Sequence, residues 1–156
     1  MEDHKGVLVC GEIAEGRLAP ITLELLGVGR QLADELGEDL KLLLMGSKAG
    51  GLAQEAIAYG ADSVHVAEDS LLDDYSSDAY TQVAADFCRK VSPSIMLLGH
   101  TDIGFDLAPR LNGRLGGGLA MDCLGLSIDP ATRLLVSTRA VFGGNAHATM
   151  VSRSAR

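Results

Sequence analysis

Short apolar runs alternate with stretches of helical periodicity along the first two thirds of the chain, and that alternation predicts four strand-helix steps. Gly6 to Gly11 (GVLVCG), Leu40 to Met45 (LKLLLM) and Ile95 to Leu98 (IMLL) are nearly continuous in apolar residues, the pattern of strands covered on both faces. Ser63 to Ala67 (SVHVA) alternates and reads as a further strand. Ile21, Leu25, Leu26, Val28, Leu32, Ala33 and Leu36 recur at helical spacing, which predicts a helix over Pro20 to Leu36 with Pro20 in its first turn and Gly37 as its stop. A short amphipathic helix ending at Gly60 and a helix over Ala79 to Val91 follow. A fourth helix is expected to begin near Ile103 and run to Leu115.

After Leu115 the pattern changes. Met121 to Ile128, Leu134 to Ala140 and a short run from about His147 to Val151 read as strands, and Asp129-Pro130 with Thr132 supplies a hairpin turn. Strands alternating with helices require a parallel sheet with right-handed crossovers. The expected fold class is therefore α/β: an open, mostly parallel sheet with helices on both faces over residues 1–116, closed by an antiparallel β-rich segment over residues 117–156, all in a single domain.

Composition narrows the function classes. A chain of 156 residues is the size of one domain with a proper core, and three Phe, three Tyr and no Trp leave that core to aliphatic side chains. The formal charge of −8 repels phosphate backbones, so nucleic-acid binding is rejected. No apolar run approaches the ~18 residues needed to span a bilayer. The opening MEDHK is too acidic for a signal peptide, and no Arg-rich mitochondrial leader is present; a cytoplasmic protein is expected, or one of the mitochondrial matrix only if a leader has been removed. Cys10, Cys88 and Cys123 form no CxxC and read as buried apolar residues in a reducing compartment; only Cys10, at a strand end, comes near a reactive setting. His4, His65, His100 and His147 have no partner at metal-ligand spacing, and His65 reads as structural.

The candidate chemistry lies at the end of the fourth strand. Gly99 ends it, and Thr101 or Asp102 can accept hydrogen bonds from the first free amides of the next helix, amides that together with the helix dipole form an anion site. Gly99, Thr101 and Gly104 are accordingly the cofactor-binding candidates, for a nucleotide held where the first and fourth strands flank the reversal of strand order. An ordinary capped turn is the competing reading. Elsewhere the signals are weaker. GVGRQL lies inside a helix, so it is no dinucleotide fingerprint, and close packing on the sheet is the expected reason for Gly27 and Gly29. The Gly-rich loop around Lys48 lacks GxxxxGK[ST] and is a weak anion site at best. Five acids between Glu68 and Asp78 lack EF-hand spacing and read as a solvated face. With no GxSxG and no HExxH, no catalytic residue is assigned, and an enzyme is not expected.

Three blocks, GEIAEGRLAPITLELLGVGRQLADELG, LLGHTDIGFDLAPRLNGRLGGGLAMDC and TRAVFGGNAHATM, resemble in order and spacing the N-terminal domain of the electron transfer flavoprotein alpha subunit, from about Val7 to Val151. The resemblance implies an adenine-nucleotide-alpha-hydrolase-like fold, a heterodimer with a beta subunit, and electron transfer between dehydrogenases and an acceptor through FAD. In that family most FAD contacts lie on a second domain. No counterpart of its flavin motifs occurs up to Arg156, so flavin residues cannot be carried over and this chain alone is expected to bind none. Two departures stand out: Phe105 replaces the basic residue usual before the Asp of GxDLAPR, and Gly116 to Gly118 lengthen the family's glycine turn. Arg110 of LAPR is expected either to steer a partner or to hold a neighbouring carboxylate.

Overall fold

The structure, a computed structural model, describes residues 4–152; the acidic opening and the final residues of VSRSAR beyond Ser152 lie outside the described residues. In chain order the elements are β1 (Val7–Cys10), β2 (Ile13–Ala14), β3 (Arg17–Leu18), α1 (Pro20–Leu36), β4 (Leu40–Met45), α2 (Ala53–Ala58), β5 (Ser63–Ala67), α3 (Ser77–Val91), β6 (Ile95–Leu97), α4 (Asp102–Leu115), β7 (Cys123–Ile128), β8 (Leu135–Val141) and β9 (Ala146–Val151). Strands β5-β4-β1-β6 form a parallel sheet in that order, with Val7 of β1 level with Leu40 of β4 and Ile95 of β6.

The continuous apolar runs are explained by burial on both sides. Val7, Val9, Leu40, Leu42, Leu44, Ile95 and Leu97 pack with Leu26, Leu32 and Leu36 of α1 on one face. Leu8, Cys10, Leu43 and Met45 pack with Ala84, Ala85, Leu107 and Leu111 of α3 and α4 on the other. Period-two alternation sends successive side chains to opposite faces, so a central strand must be apolar at every position. Each fully buried leucine here contributes on the order of 2 kcal/mol.

Carboxylates close the N-terminal edge of this sheet. The Asp62 carboxylate accepts from the amide of Leu40 at 2.7 Å and pairs with Arg30 Nη1 at 2.8 Å, and the Leu40 bond is the largest cause holding its pKa below the usual range. Glu38 Oε2 accepts from the amide of Gly6 at 2.6 Å.

The last third forms its own antiparallel sheet, β7-β8-β9, joined to α1 rather than to the parallel strands. Leu126, Ile128 and Leu135 pack against the α1 side of the core. The amide of Ile128 donates to Glu35 Oε2 at 2.9 Å, and Arg133 Nη2 donates to the carbonyl of Leu36. The hairpin turn is stitched as its sequence predicts: the Asp129 carboxylate accepts from the Ala131 amide at 2.9 Å and from Thr132 Oγ1 at 2.7 Å. Among the described residues no helix is long and apolar enough to cross a membrane.

Two expectations change, and one element is added. Between β1 and α1, β2 and β3 pair antiparallel around Glu15 (φ 52°) and Gly16 (φ 73°), the positive-φ pair of a tight hairpin turn. Helix α3 starts at Ser77, two residues earlier than its apolar period suggests, because the acidic segment runs directly into its first turn. Close packing accounts for only one of the α1 glycines. A Cβ on Gly29 would sit 2.7 Å from Leu40 Cδ1 and 3.3 Å from Val9 Cγ2, whereas a Cβ on Gly27 meets nothing within 4 Å.

This contrast sets opposite signs for two substitutions. Gly29→Ala overpacks a filled interface and should lower stability by ~1–3 kcal/mol, whereas Gly27→Ala fills open space on an exposed helix face and should raise it by up to ~1 kcal/mol. Urea denaturation of the two variants against the parent checks both signs.

Candidate functional site

The strand order reverses between β1 and β6, so the crevice at their C-terminal ends is where an open parallel sheet holds a ligand. Residues from both strands and two helices meet there. Thr101 caps α4: its Oγ1 accepts from the amide of Gly104 at 3.1 Å, and Asp102 places an acid in the first turn. The same hydroxyl donates to Glu12 Oε1 at 2.6 Å, carrying the link across to the end of β1. Glu12 is held from behind as well. Its amide donates to Thr22 Oγ1 at 2.7 Å, that hydroxyl donates back to the Glu12 carbonyl at 2.8 Å, and Thr22 is wholly buried in α1.

All three sequence candidates are brought together here. A Cβ on Gly104 would lie 1.8 Å from the carbonyl oxygen of Gly99, closer than any non-bonded contact allows, so the first turn of α4 is pressed onto the end of the β6 strand. A Cβ on Gly99 would lie 2.6 Å from Ile21 Cγ1 and 3.2 Å from Glu12 Oε1. The remaining space is a cavity of about 10 Å³, lined by Cys10, Glu12, Met45, Tyr80, Leu98 and Leu107 among others. That is room for about one water molecule and far below the ~300–1,000 Å³ usual for small-molecule sites. Cys10, the thiol nearest to chemistry in the sequence, is pushed up to about 12, first by burial and then by the charge of Glu12, and is an inert core residue at neutral pH.

A second cluster braces the outside of α4. The Asp106 carboxylate accepts from Tyr75 Oη at 2.6 Å, Ser77 Oγ at 2.7 Å and Arg110 Nε at 3.0 Å. These bonds, the tyrosine's first, pull its pKa down to about 2. Arg110 thus holds a neighbouring carboxylate one helical turn away, the structural one of its two expected roles. Tyr75 in turn meets Tyr80 edge-on at 4.9 Å, and Tyr80 Oη donates to the carbonyl of Leu72 at 2.8 Å.

The Gly-rich loop after β4 is filled in the same manner. Ser47 donates its amide to Asp73 Oδ1 at 2.7 Å and its hydroxyl to Asp73 Oδ2 at 2.8 Å, while the amide of Gly50 donates to Glu68 Oε1 at 2.9 Å. The amides that read as a weak anion site are therefore taken by acids of the Glu68 to Asp78 segment, which is only in part a solvated face. Asp69 caps its own turn through the amide of Leu71 at 2.9 Å. Among the described residues no three His, Cys, Asp or Glu side chains are grouped to hold a metal ion. His65 packs against Phe87 at 4.6 Å between ring centroids, and burial lowers its pKa, in keeping with a structural role. His100 lies exposed, 6.0 Å from the Phe105 ring and with Nδ1 3.8 Å from Asp122 Oδ1.

Sequence reasoning missed Glu12, Thr22 and the Tyr75–Asp106 bond. A signal existed for the first, an acid directly after the glycine that ends β1; none existed for the others, whose partners are set by tertiary contact.

Two outcomes follow from these bonds. Gly104→Ala drives a methyl group into a backbone oxygen and should destabilise at the upper end of the ~1–3 kcal/mol seen for overpacking, read as a lowered melting temperature. Asp62, Asp73 and Asp106 have folded pKa values below their unfolded ones, so their contribution is complete above the unfolded value of about 4 and is lost as pH falls through the folded values, near 2 for Asp106. The melting temperature should accordingly hold steady from neutral pH down to about 5 and drop steeply below about 4.

Comparison with known proteins adds identity to this geometry. A family model described as "Electron transfer flavoprotein domain" matches residues 7–155. The electron transfer flavoprotein subunit alpha of Clostridium acetobutylicum is 42% identical over 149 residues, 96% of this chain and 44% of that protein. Protein FixB of Clostridium saccharobutylicum is 44% identical over 148 residues, 95% of this chain and 44% of its own length. The lactate dehydrogenase (NAD(+),ferredoxin) subunit LctC of Acetobacterium woodii is 38% identical over 153 residues and covered to 36%. The chain spans less than half the length of these relatives. A match along nearly its whole length, over strands and helices that form the doubly covered parallel sheet its pattern requires, means that this chain belongs to the electron transfer flavoprotein domain family.

Proposed function

We propose that this chain is the N-terminal scaffold and subunit-docking part of an electron transfer flavoprotein alpha subunit, a carrier component rather than an enzyme. In this reading it works with a beta subunit and supports flavin-mediated electron transfer from dehydrogenases to an acceptor. The flavin supplies the redox chemistry, and the protein supplies position and electrostatics.

The observation that carries the reading is the self-filled crevice between β1 and β6. Glu12 places a carboxylate against Gly99 and the cap of α4, where an adenine nucleotide would set a phosphate. The space beneath it is mainly apolar and only about 10 Å³, too small to admit FAD. Gly99, Thr101 and Gly104 then serve as the turn that docks α4 onto the sheet. The three free thiols suit a reducing, cytoplasmic setting. A stand-alone adenine-nucleotide-binding domain is the second reading, favoured by the placement of the crevice at the strand-order reversal and opposed by the Glu12 charge inside it.

The purified chain should be colourless and give no calorimetric heat with AMP or ATP at millimolar concentration. Copurified flavin approaching one per chain would sink the scaffold reading, and nucleotide binding at this crevice would favour the second.

A further inference from the structure

Among the described residues, no backbone-to-backbone hydrogen bond crosses from residues 117–152 to the parallel sheet or its helices. The ladders of β7, β8 and β9 and the bonds of their turns are all internal. Burial divides at the same place: the buried apolar side chains end at Leu111, and after it only the polar Ser137 is buried. Leu126, Ile128 and Leu135 reach the core as partly buried neighbours. The join adds little support. Gly116 turns at φ +73°, residues 116–120 are exposed, and residues 117–121 are bonded to no other element. Asp122 Oδ1 approaches His100 Nδ1 only to 3.8 Å, with both side chains more than half exposed, a pair that contributes little in water.

Two hydrogen bonds do cross, and both end on the last turn of α1. Glu35 Oε2 accepts from the Ile128 amide at 2.9 Å. Arg133 Nη2 donates to the Leu36 carbonyl, one of the four that a helix end leaves without an internal partner. Gln31, and then the Ile128 amide, hold the Glu35 carboxyl below its usual range, so the acceptor is charged near neutral pH. The two bonds grip opposite sides of one hairpin, because Ile128 closes β7 and Arg133 lies in the turn that leads to β8. Arg133 also adopts φ +58°, so the residue that makes the tie holds an unfavourable backbone conformation. A three-stranded sheet with no wholly buried apolar side chain depends on the helix it packs against, and release from α1 would take its ladder with it.

We propose that residues 117–152 form a latched arm, a separate cooperative unit that opens from α1 as a whole while the parallel sheet stays folded, with Glu35 and Arg133 as its latch. Cooperative units coincide with contiguous supersecondary motifs, and those with few buried apolar contacts open first. The arm meets both conditions. The parallel sheet, with Leu8, Leu40 and Leu42 fully buried, meets the opposite one and sets the upper limit of stability. The exposed, glycine-rich join lets the arm leave without pulling on α4. This is a property of the chain's own cooperativity, and it stands whether or not the carrier reading does.

The experiment is residue-resolved amide hydrogen exchange of the chain near neutral pH, with Glu35→Ala and Arg133→Gly beside the parent. In the parent, the amides of β7, β8 and β9 should exchange as one group, at least about tenfold faster than those of β1 and β4. Each variant should speed that whole group by about threefold or more, the loss of one hydrogen bond, and leave β1 and β4 unchanged. Neither effect can come from local preference: alanine is the best helix former and glycine accepts the positive φ, so those terms alone would slow exchange. One common rate for arm and core overturns the proposal, as does an equal acceleration of both by the variants. Acceleration confined to the amides beside the substituted residue removes the latch and overturns it too.

Discussion

The close approach of α4 to the end of β6 is the constraint on which the C-terminal edge of the sheet depends. With no Cβ on Gly104, the first turn of α4 rests on the Gly99 carbonyl, and only then does Thr101 stand where it can cap that turn and reach Glu12. Glu12 is anchored in turn by the buried hydroxyl of Thr22. One chain of short hydrogen bonds thus ties β1, α1, β6 and α4 together at the point where the strand order reverses. That is the position at which related architectures open a crevice, and here a side chain closes it.

The same device recurs around the sheet and gives the acidic composition a structural meaning. Glu38 on the amide of Gly6, Asp62 on that of Leu40, Asp73 on that of Ser47 and Glu68 on that of Gly50 are all carboxylates of the chain itself bound to backbone donors at strand ends and loops. Loops rich in free amides recruit anions, and this chain supplies them from its own sequence. The benefit is rigidity near neutral pH. Its consequence is that the amides of the loop after β4 are bonded by carboxylates of the chain itself.

What the sequence made legible was whatever local periodicity controls. Strands β1, β4 and β6 were readable because burial on both faces leaves no polar position, and α1 because its apolar stripe has a helical period and ends at Gly37. The Thr101 cap and the Asp129 turn were readable for the same local reason. The Glu12–Thr101 bond joins residues 89 apart and the Ser47–Asp73 bond residues 26 apart, and no short-range rule pairs them. Gly27 and Gly29 are a different lesson. Residues two apart on a helix point to opposite sides, so only one of the pair can meet the sheet, and helical geometry alone excludes a shared packing role.

Helix α1 is what joins the two sheets into one body. One side of it completes the parallel core through Leu26, Leu32 and Leu36, and its C-terminal end holds the antiparallel sheet through Glu35 and the carbonyl of Leu36. The two attachments differ in kind. Side chains of the parallel core are almost wholly removed from water, whereas Leu126, Ile128 and Leu135 are only partly buried, so less apolar area holds the second sheet to the first. Polar ties at Glu35 and Arg133 fix its orientation where apolar area alone would leave it loosely held. The result is a sheet with no net formal charge joined to an acidic body, a division of charge that follows from where the acids are used: many of them bond the backbone of the parallel sheet and its loops, and the antiparallel segment holds only Asp122 and Asp129.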